Sequence, residues 1–350
     1  MIKVRQVLLC SAVPFFFLAA SCVRENSSRK QDIHVQQMSG FPNQEFGYEL
    51  GVSACYAGII GNKLVMAGGC NFAGKSAAEG GPKYFYKGIY TAEITEDSVL
   101  VWKQVGELPS PVAYGVSISR SGEMILIGGN NADGGLTSVF RLKLAEDGGA
   151  ILDTLPSLPF ALDNMSGAAS GNTIYVAGGN RNGSPSTSML SLNLNEPELG
   201  WKEEVPFPGA ARVQPVCAVQ DGMLYLWGGF CPSQNGGEAS VATDGYRYLP
   251  LQERWEPVPA PAVAETGEPL TLTGGTSCVW SDSIILCTGG VDKDIFLDAI
   301  SGDYKRIAKE DYLLQPVAWY RFNGRHTIPA GTIGRNGRNL LAWHGPVLLY

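Results

Sequence analysis

Five stretches of the chain repeat one pattern of polar and apolar positions: a polar turn, four or five apolar residues in a row, then two glycines. They cover residues 61–69, 122–129, 171–179, 221–229 and 281–290. An apolar run this short, bounded by turn residues on one side and glycine on the other, predicts a strand buried on both faces. The first glycines of the doublets fall at 68, 128, 178, 228 and 289, so the unit returns every 50 to 61 residues. After each doublet the sequence turns polar, and a second strand follows, such as Gly88-Ile89-Tyr90-Thr91 or Gly245-Tyr246-Arg247-Tyr248. In three copies a tryptophan comes next (Trp102, Trp201, Trp255), ahead of a proline-bearing connection such as Glu107-Leu108-Pro109.

A period near 50 residues with Gly-Gly, an aromatic and a Trp in fixed order is the kelch signature. It predicts an all-β fold, a kelch-type β-propeller whose four-stranded blades pack radially around a channel. The plan reads as six-bladed, with five blades clearly encoded and the C-terminal one truncated. The loops that follow the doublets should gather at one mouth of the channel, where small ligands bind.

Composition agrees and narrows the chemistry. The 350 residues include 44 Gly and 21 Pro, a turn-rich balance without a collagen period. The net charge of −7 argues against nucleic acid as a partner. Only three histidines are present, His34 near the N-terminus and His326 and His344 near the C-terminus. The body therefore lacks an imidazole for a Ser-His-Asp triad, a Cys-His pair or a zinc site, and neither metal nor cofactor is expected. What remains is carboxylate, arginine and tyrosine chemistry, or binding alone.

Residues 1–22 read as a lipoprotein signal peptide. Lys3 and Arg5 precede an apolar stretch, and Leu18-Ala19-Ala20-Ser21-Cys22 resembles a bacterial lipobox with Cys22 as the acylated thiol. An ordinary cleaved signal with an incidental cysteine is the alternative. Removing the segment takes two positive charges from −7 and leaves −9. Residues 23–40 are polar and patternless, as a tether would be. The expected location is exported, periplasmic or anchored to the outer membrane, with the membrane as a partner through the lipid. The six remaining cysteines include no C-x-x-C pair, and small buried side chains are expected of them more than bridges.

Residues 69–76, Gly-Cys-Asn-Phe-Ala-Gly-Lys-Ser, match the phosphate-binding pattern G-x-x-x-x-G-K-[ST] in full. That loop works by opening a helix, and Gly80-Gly81-Pro82 shortly after forbids one. No nucleotide is expected there.

Several longer strings narrow the family. Leu64-Val65-Met66-Ala67-Gly68-Gly69, Glu79-Gly80-Gly81-Pro82-Lys83, Ala113-Tyr114-Gly115-Val116-Ser117, Phe207-Pro208-Gly209-Ala210-Ala211-Arg212 and Gly289-Gly290-Val291-Asp292-Lys293 stand in the order of a known group. Together they resemble the sialic acid (N-acetylneuraminate) mutarotase kelch proteins, in their cyclically permuted branch, over residues 41–322. The resemblance implies cofactor-free interconversion of the α and β anomers of a small sugar acid by general acid and base. Glu79 stands in as the acid/base, and Arg212 as clamp for the sugar carboxylate. Lys83, Asn71, Asn180, Arg181 and Asp292 complete the expected binding set, although each asparagine also suits a plain turn.

The chain departs from that group in two places. Its relatives carry a proposed catalytic Glu and Arg in a Gly-Glu-x-x-Pro-Gly-x-Arg-type stretch on the closing blade, and no such stretch follows Phe322. Residues 323–350 read as a divergent tail: from Arg321 to Tyr350 there are four arginines and no acidic residue. A frameshift or premature stop near 323 is one expectation, a genuine tail that closes the ring differently the other. Val112 also stands where relatives tend to carry Arg. Both departures weigh against activity, while the mutarotase reading stands as the expected function, and the competing reading is a non-catalytic surface module that binds a glycan or a protein.

Overall fold

Each of the five apolar runs forms the second strand of a four-stranded antiparallel sheet. The computed structural model describes residues 40–75, 79–94, 99–233, 237–260, 272–281 and 284–288, together with the backbone of the strands Val317–Phe322 and Thr327–Ile333. Chain contacts separate Met1–Val35 and Leu349–Tyr350 from Gln36–Leu348, and every described residue belongs to the latter unit. The sheets are the blades of the propeller. From the channel outwards the first blade orders Tyr56–Ile60, Lys63–Ala67, Gly88–Glu93 and Lys103–Glu107. The inner strands of the next four are Val116–Arg120, Ser166–Ser170, Val216–Gln220 and Thr276–Ser281.

The two outer strands of the fifth blade are Val317–Phe322 and Thr327–Ile333, paired from Phe322 with Thr327 to Val317 with Ile333. The expected boundary at residue 322 therefore falls inside a strand pair. Asn323-Gly324 between them is a hairpin signal that the sequence reading does not use.

The core lies between blades. Val65, Ala67 and Ile89 of the first meet Met124, Leu126 and Leu142 of the second, all fully buried. Ile125, Ile127 and Val139 meet Ile174, Val176 and Leu190 in the next interface. Both faces of each second strand are therefore buried, which explains why these strands are apolar throughout. Each fully buried side chain of this size contributes about 1.5–3 kcal/mol.

The glycine doublets lock successive blades. The amide of Gly69 donates to Val112 O at 2.7 Å, that of Gly129 to Leu162 O at 2.8 Å, and that of Gly179 to Arg212 O at 2.8 Å. Both glycines of the described doublets have positive φ, and a Cβ on Gly128 would lie 2.4 Å from Leu162 O. Gly128→Ala should lower stability by about 3 kcal/mol, from the left-handed backbone plus the clash. Gly122→Ala has φ +75° but nothing within 4 Å of the new Cβ, so about 1 kcal/mol is expected. Paired thermal melts check this, and equal losses at the two positions would remove the interlock as the reason for the doublet.

The repeat tryptophans form a second clip. Indole N–H groups of Trp102, Trp201 and Trp255 donate to Gly40 O, Pro156 O and Val205 O, each on the connection that leads into the tryptophan's own blade. Serine hydroxyls close the exposed edges of the inner strands: Ser117 Oγ and Ser119 Oγ accept from Ala57 N and Ile59 N, and Ser166 Oγ from Cys217 N.

Candidate functional site

The connection into each blade ends in one residue with left-handed backbone: Ala54, Tyr114, Asn164, Gln214 and Gly274, with φ between 52° and 69°. Their amides form a staircase around the channel mouth. Tyr114 N donates to Ala54 O, Asn164 N to Tyr114 O, Gln214 N to Asn164 O and Gly274 N to Gln214 O, at 2.6–3.1 Å. The strain at the four non-glycine positions is held by these bonds and sets the direction of their four side chains.

Below the staircase the channel is a cavity of about 230 Å³ lined by the inner strands. Beside it, over the first three blades, lies an open cleft of about 500 Å³. Tyr114 and Asn164 belong to the walls of both. The cleft is polar: Lys83, Asn130, Asn131, Asp163 and Asn180 surround Tyr114, with Phe85 as its apolar wall.

Three groups here can carry chemistry. Lys83 Nζ donates to Tyr114 Oη at 2.9 Å and lies 4.9 Å from that ring's centroid and 5.7 Å from the Phe72 centroid. Burial pushes the Tyr114 phenol well above its ordinary range, and Cys70 and Asp163 push the same way, so it keeps its proton at neutral pH. Asp163 is a buried carboxylate, 5 % exposed, whose Oδ1 accepts from Asn164 Nδ2 at 2.6 Å and Asn180 Nδ2 at 2.7 Å. Gln214 Nε2 in turn donates to Asn164 Oδ1 at 2.9 Å, so a side-chain relay runs from the channel to Asp163.

The residues expected from the sequence divide. Lys83 and Asn180 line the cleft. Asn71 does not: its amide is spent on Gly47 O and Gly51 O, and its Oδ1 accepts from Tyr86, holding the turn of 47–51. Arg181 lies over the Phe160 ring and pairs with Glu203, outside the cleft wall. Glu79 is exposed and lies outside both cavity walls. Asp292 and Cys22 lie outside the described residues.

Arg212 corrects the expectation of a carboxylate clamp. It is fully buried, and its guanidinium holds a carboxylate of its own chain, Asp244, through both terminal nitrogens, with further bonds to Ala210 O and Gly228 O. Its position in the repeat is that of Val52, Val112, Leu162 and Leu272, which pack between blades. A long cation there must find its counter-charge inside the protein.

Within the phosphate-loop match Cys70–Asn71 is a strand paired with Tyr84–Phe85, and Ser76, where the helix of such a loop would open, lies outside the described residues. Six described cysteines are free, and burial pushes the thiols of Cys55, Cys217 and Cys287 up to about 12. Among the described residues no cluster of His, Cys, Asp and Glu could hold a metal.

Tyr114 and Asp163 are the site residues that the sequence reading passed over. Both stand just ahead of an inner strand: Tyr114 lies in Ala113-Tyr114-Gly115-Val116-Ser117, one of the strings that carry the resemblance, and Asp163 in a string without a motif. Counting back 15 residues from each first doublet glycine would have found Asp163, since it shares that position with Ser53, Ala113 and Val213 and is the acid among them.

Comparison with known proteins converges on the same group. A protein-family model described as N-acetylneuraminate epimerase matches residues 18–151 and 155–326. An N-acetylneuraminate epimerase of Salmonella arizonae is 33 % identical over 178 residues, 49 % of this chain and 44 % of that protein. Its counterpart in Haemophilus influenzae is 35 % identical over 143 residues, 41 % of this chain and 35 % of that protein. The chain thus spans less than half the length of these relatives. The family match runs through four whole blades and into the fifth, and on that extent the chain belongs to the N-acetylneuraminate epimerase family.

Proposed function

We propose that the cleft binds a sialic acid and interconverts its α and β anomers without a cofactor. The observation that carries this is the meeting of a cation, a protonated phenol and a buried carboxylate in one cleft: Lys83, Tyr114 and Asp163. Lys83 pairs with the sugar carboxylate. Asp163 takes the proton of the anomeric hydroxyl while Tyr114 gives its proton to the ring oxygen, and the ring opens to the keto form. Rotation about the bond to the carbonyl carbon turns its other face to the ring hydroxyl. Closure returns both protons and leaves the second anomer, so the cycle balances without metal or redox partner.

Proton NMR of freshly released α-sialic acid tests the reading. The full chain should speed the α-to-β conversion above the spontaneous rate, in proportion to its concentration. Saturable binding of the sugar with an unchanged rate would instead favour the non-catalytic surface module. The same proposal takes the lipobox at face value: the protein is exported and held to a membrane by acyl chains on Cys22.

A further inference from the structure

Apart from Val205, on a connection between blades, and Val279, on an inner strand, the exposed large apolar residues fall on one of two faces of the propeller. The aromatic ones, Phe46, Phe72 and Tyr84, stand on the loops of the cleft face. On the opposite face, where the hairpins between third and fourth strands turn, the exposed residues are aliphatic: Val99, Val101, Ile151, Leu199 and Leu251. They come from four successive blades, each on or beside the hairpin between its third and fourth strands, two of them on short 3-10 turns, Pro197–Leu199 and Pro250–Gln252. Solubility calls for polar residues at such tips, and a recurrence through four blades differs from single scattered leucines.

The chain also enters the described structure on this face. Gly40 O accepts from Trp102 Nε1, and the Gly40 backbone lies against Leu100, beside Val99 and Val101. The segment ahead of Gly40 carries Cys22, 18 residues upstream of it. Charged residues lie among the aliphatic ones, and each of these cations is paired: Lys202 bridges Glu253 on the neighbouring blade at 2.7 Å, Lys143 pairs with Asp153 and Arg254 with Glu256. No described helix is long and apolar enough to cross a membrane, so contact with a bilayer would be peripheral.

We propose that this hairpin face docks on a lipid bilayer, with the aliphatic tips seated in the headgroup region and the cleft turned towards the aqueous side. The proposal rests on acylation at Cys22 and adds the orientation. With a net negative protein, and with the cations of this face paired to carboxylates, the attraction comes from the apolar tips, so a zwitterionic surface suffices.

The test uses the mature chain purified from the membrane fraction and returned to phosphatidylcholine vesicles. Leu199→Cys, Leu251→Cys and, on the cleft face, Asp133→Cys each carry a nitroxide. The native thiols do not compete, because five of the six described are buried and the sixth, Cys278, is half-buried with its thiol pushed up to about 11. Labels at 199 and 251 should lose collisions with an aqueous paramagnetic complex several-fold on vesicles, and the label at 133 should not. Recovery of the chain only in the soluble fraction would overturn the anchor and the docking together. A membrane-bound chain whose three labels collide equally with the aqueous reagent would overturn the docking face alone.

Discussion

Asp163→Asn should bring the α-to-β conversion of sialic acid close to its spontaneous rate. Removal of a positioned general base costs about 10²–10⁴-fold in the rate of proton transfer. The exchange keeps the shape and volume of a side chain that is 5 % exposed, so the blades should stay packed. What changes is charge: the amide cannot take a proton from the anomeric hydroxyl. Sugar binding should survive, because Lys83 is untouched and makes the contact assigned to the carboxylate. The measurement is therefore a pair, anomer interconversion by NMR and sugar affinity by titration. Loss of rate with retained affinity is the expected outcome. An active Asp163→Asn chain would move the base elsewhere, and Glu79 would return as the acid closest in sequence to Lys83.

The general form of this protein was legible because its repeat is enforced at every blade by the same physics. A Gly-Gly doublet is written wherever a backbone must turn through positive φ and meet the next blade's carbonyl without a Cβ, as at Gly128 against Leu162 O. The tryptophans are legible for a similar reason, since each indole clips its blade to the connection before it. The site was only partly legible. Lys83 and Asn180 stand on doublet loops, where polar residues attract notice. Tyr114 stands on the staircase and Asp163 one residue ahead of its Asn164 step, and their role in the cleft comes from that register. Arg212 shows the converse error: a charged residue on a small-residue segment looks functional until its alignment with Val52, Val112, Leu162 and Leu272 shows an interior position.

That interior position makes a large loss of stability the expected result of Asp244→Ala. The substitution leaves the Arg212 guanidinium, with no exposed surface, facing two carbonyl oxygens and no counter-charge. Breaking a buried pair from one side costs about 3–5 kcal/mol, and the 37 % exposure of the Asp244 side chain places this case near about 3. For a body of this size that is a fall in melting temperature of roughly 5 °C. Arg212→Met in the same chain should recover part of the loss, because the unpaired charge is gone and the position is apolar in the other blades. The pH dependence follows from Asp244. Burial alone would raise its pKa, but the hydrogen bonds and charge of Arg212, with a bond from Tyr246, hold it below the usual carboxylate range. A carboxylate whose folded pKa is depressed stabilises the fold above its unfolded pKa of about 3.9, and that contribution fades as pH falls through the folded value. The wild-type chain should therefore lose stability on acidification below about pH 4, and Asp244→Ala should lose less over the same range. Melting curves of both proteins from neutral pH down through that interval should draw together. Curves that stay parallel would show that Asp244 does not hold Arg212 through its charge.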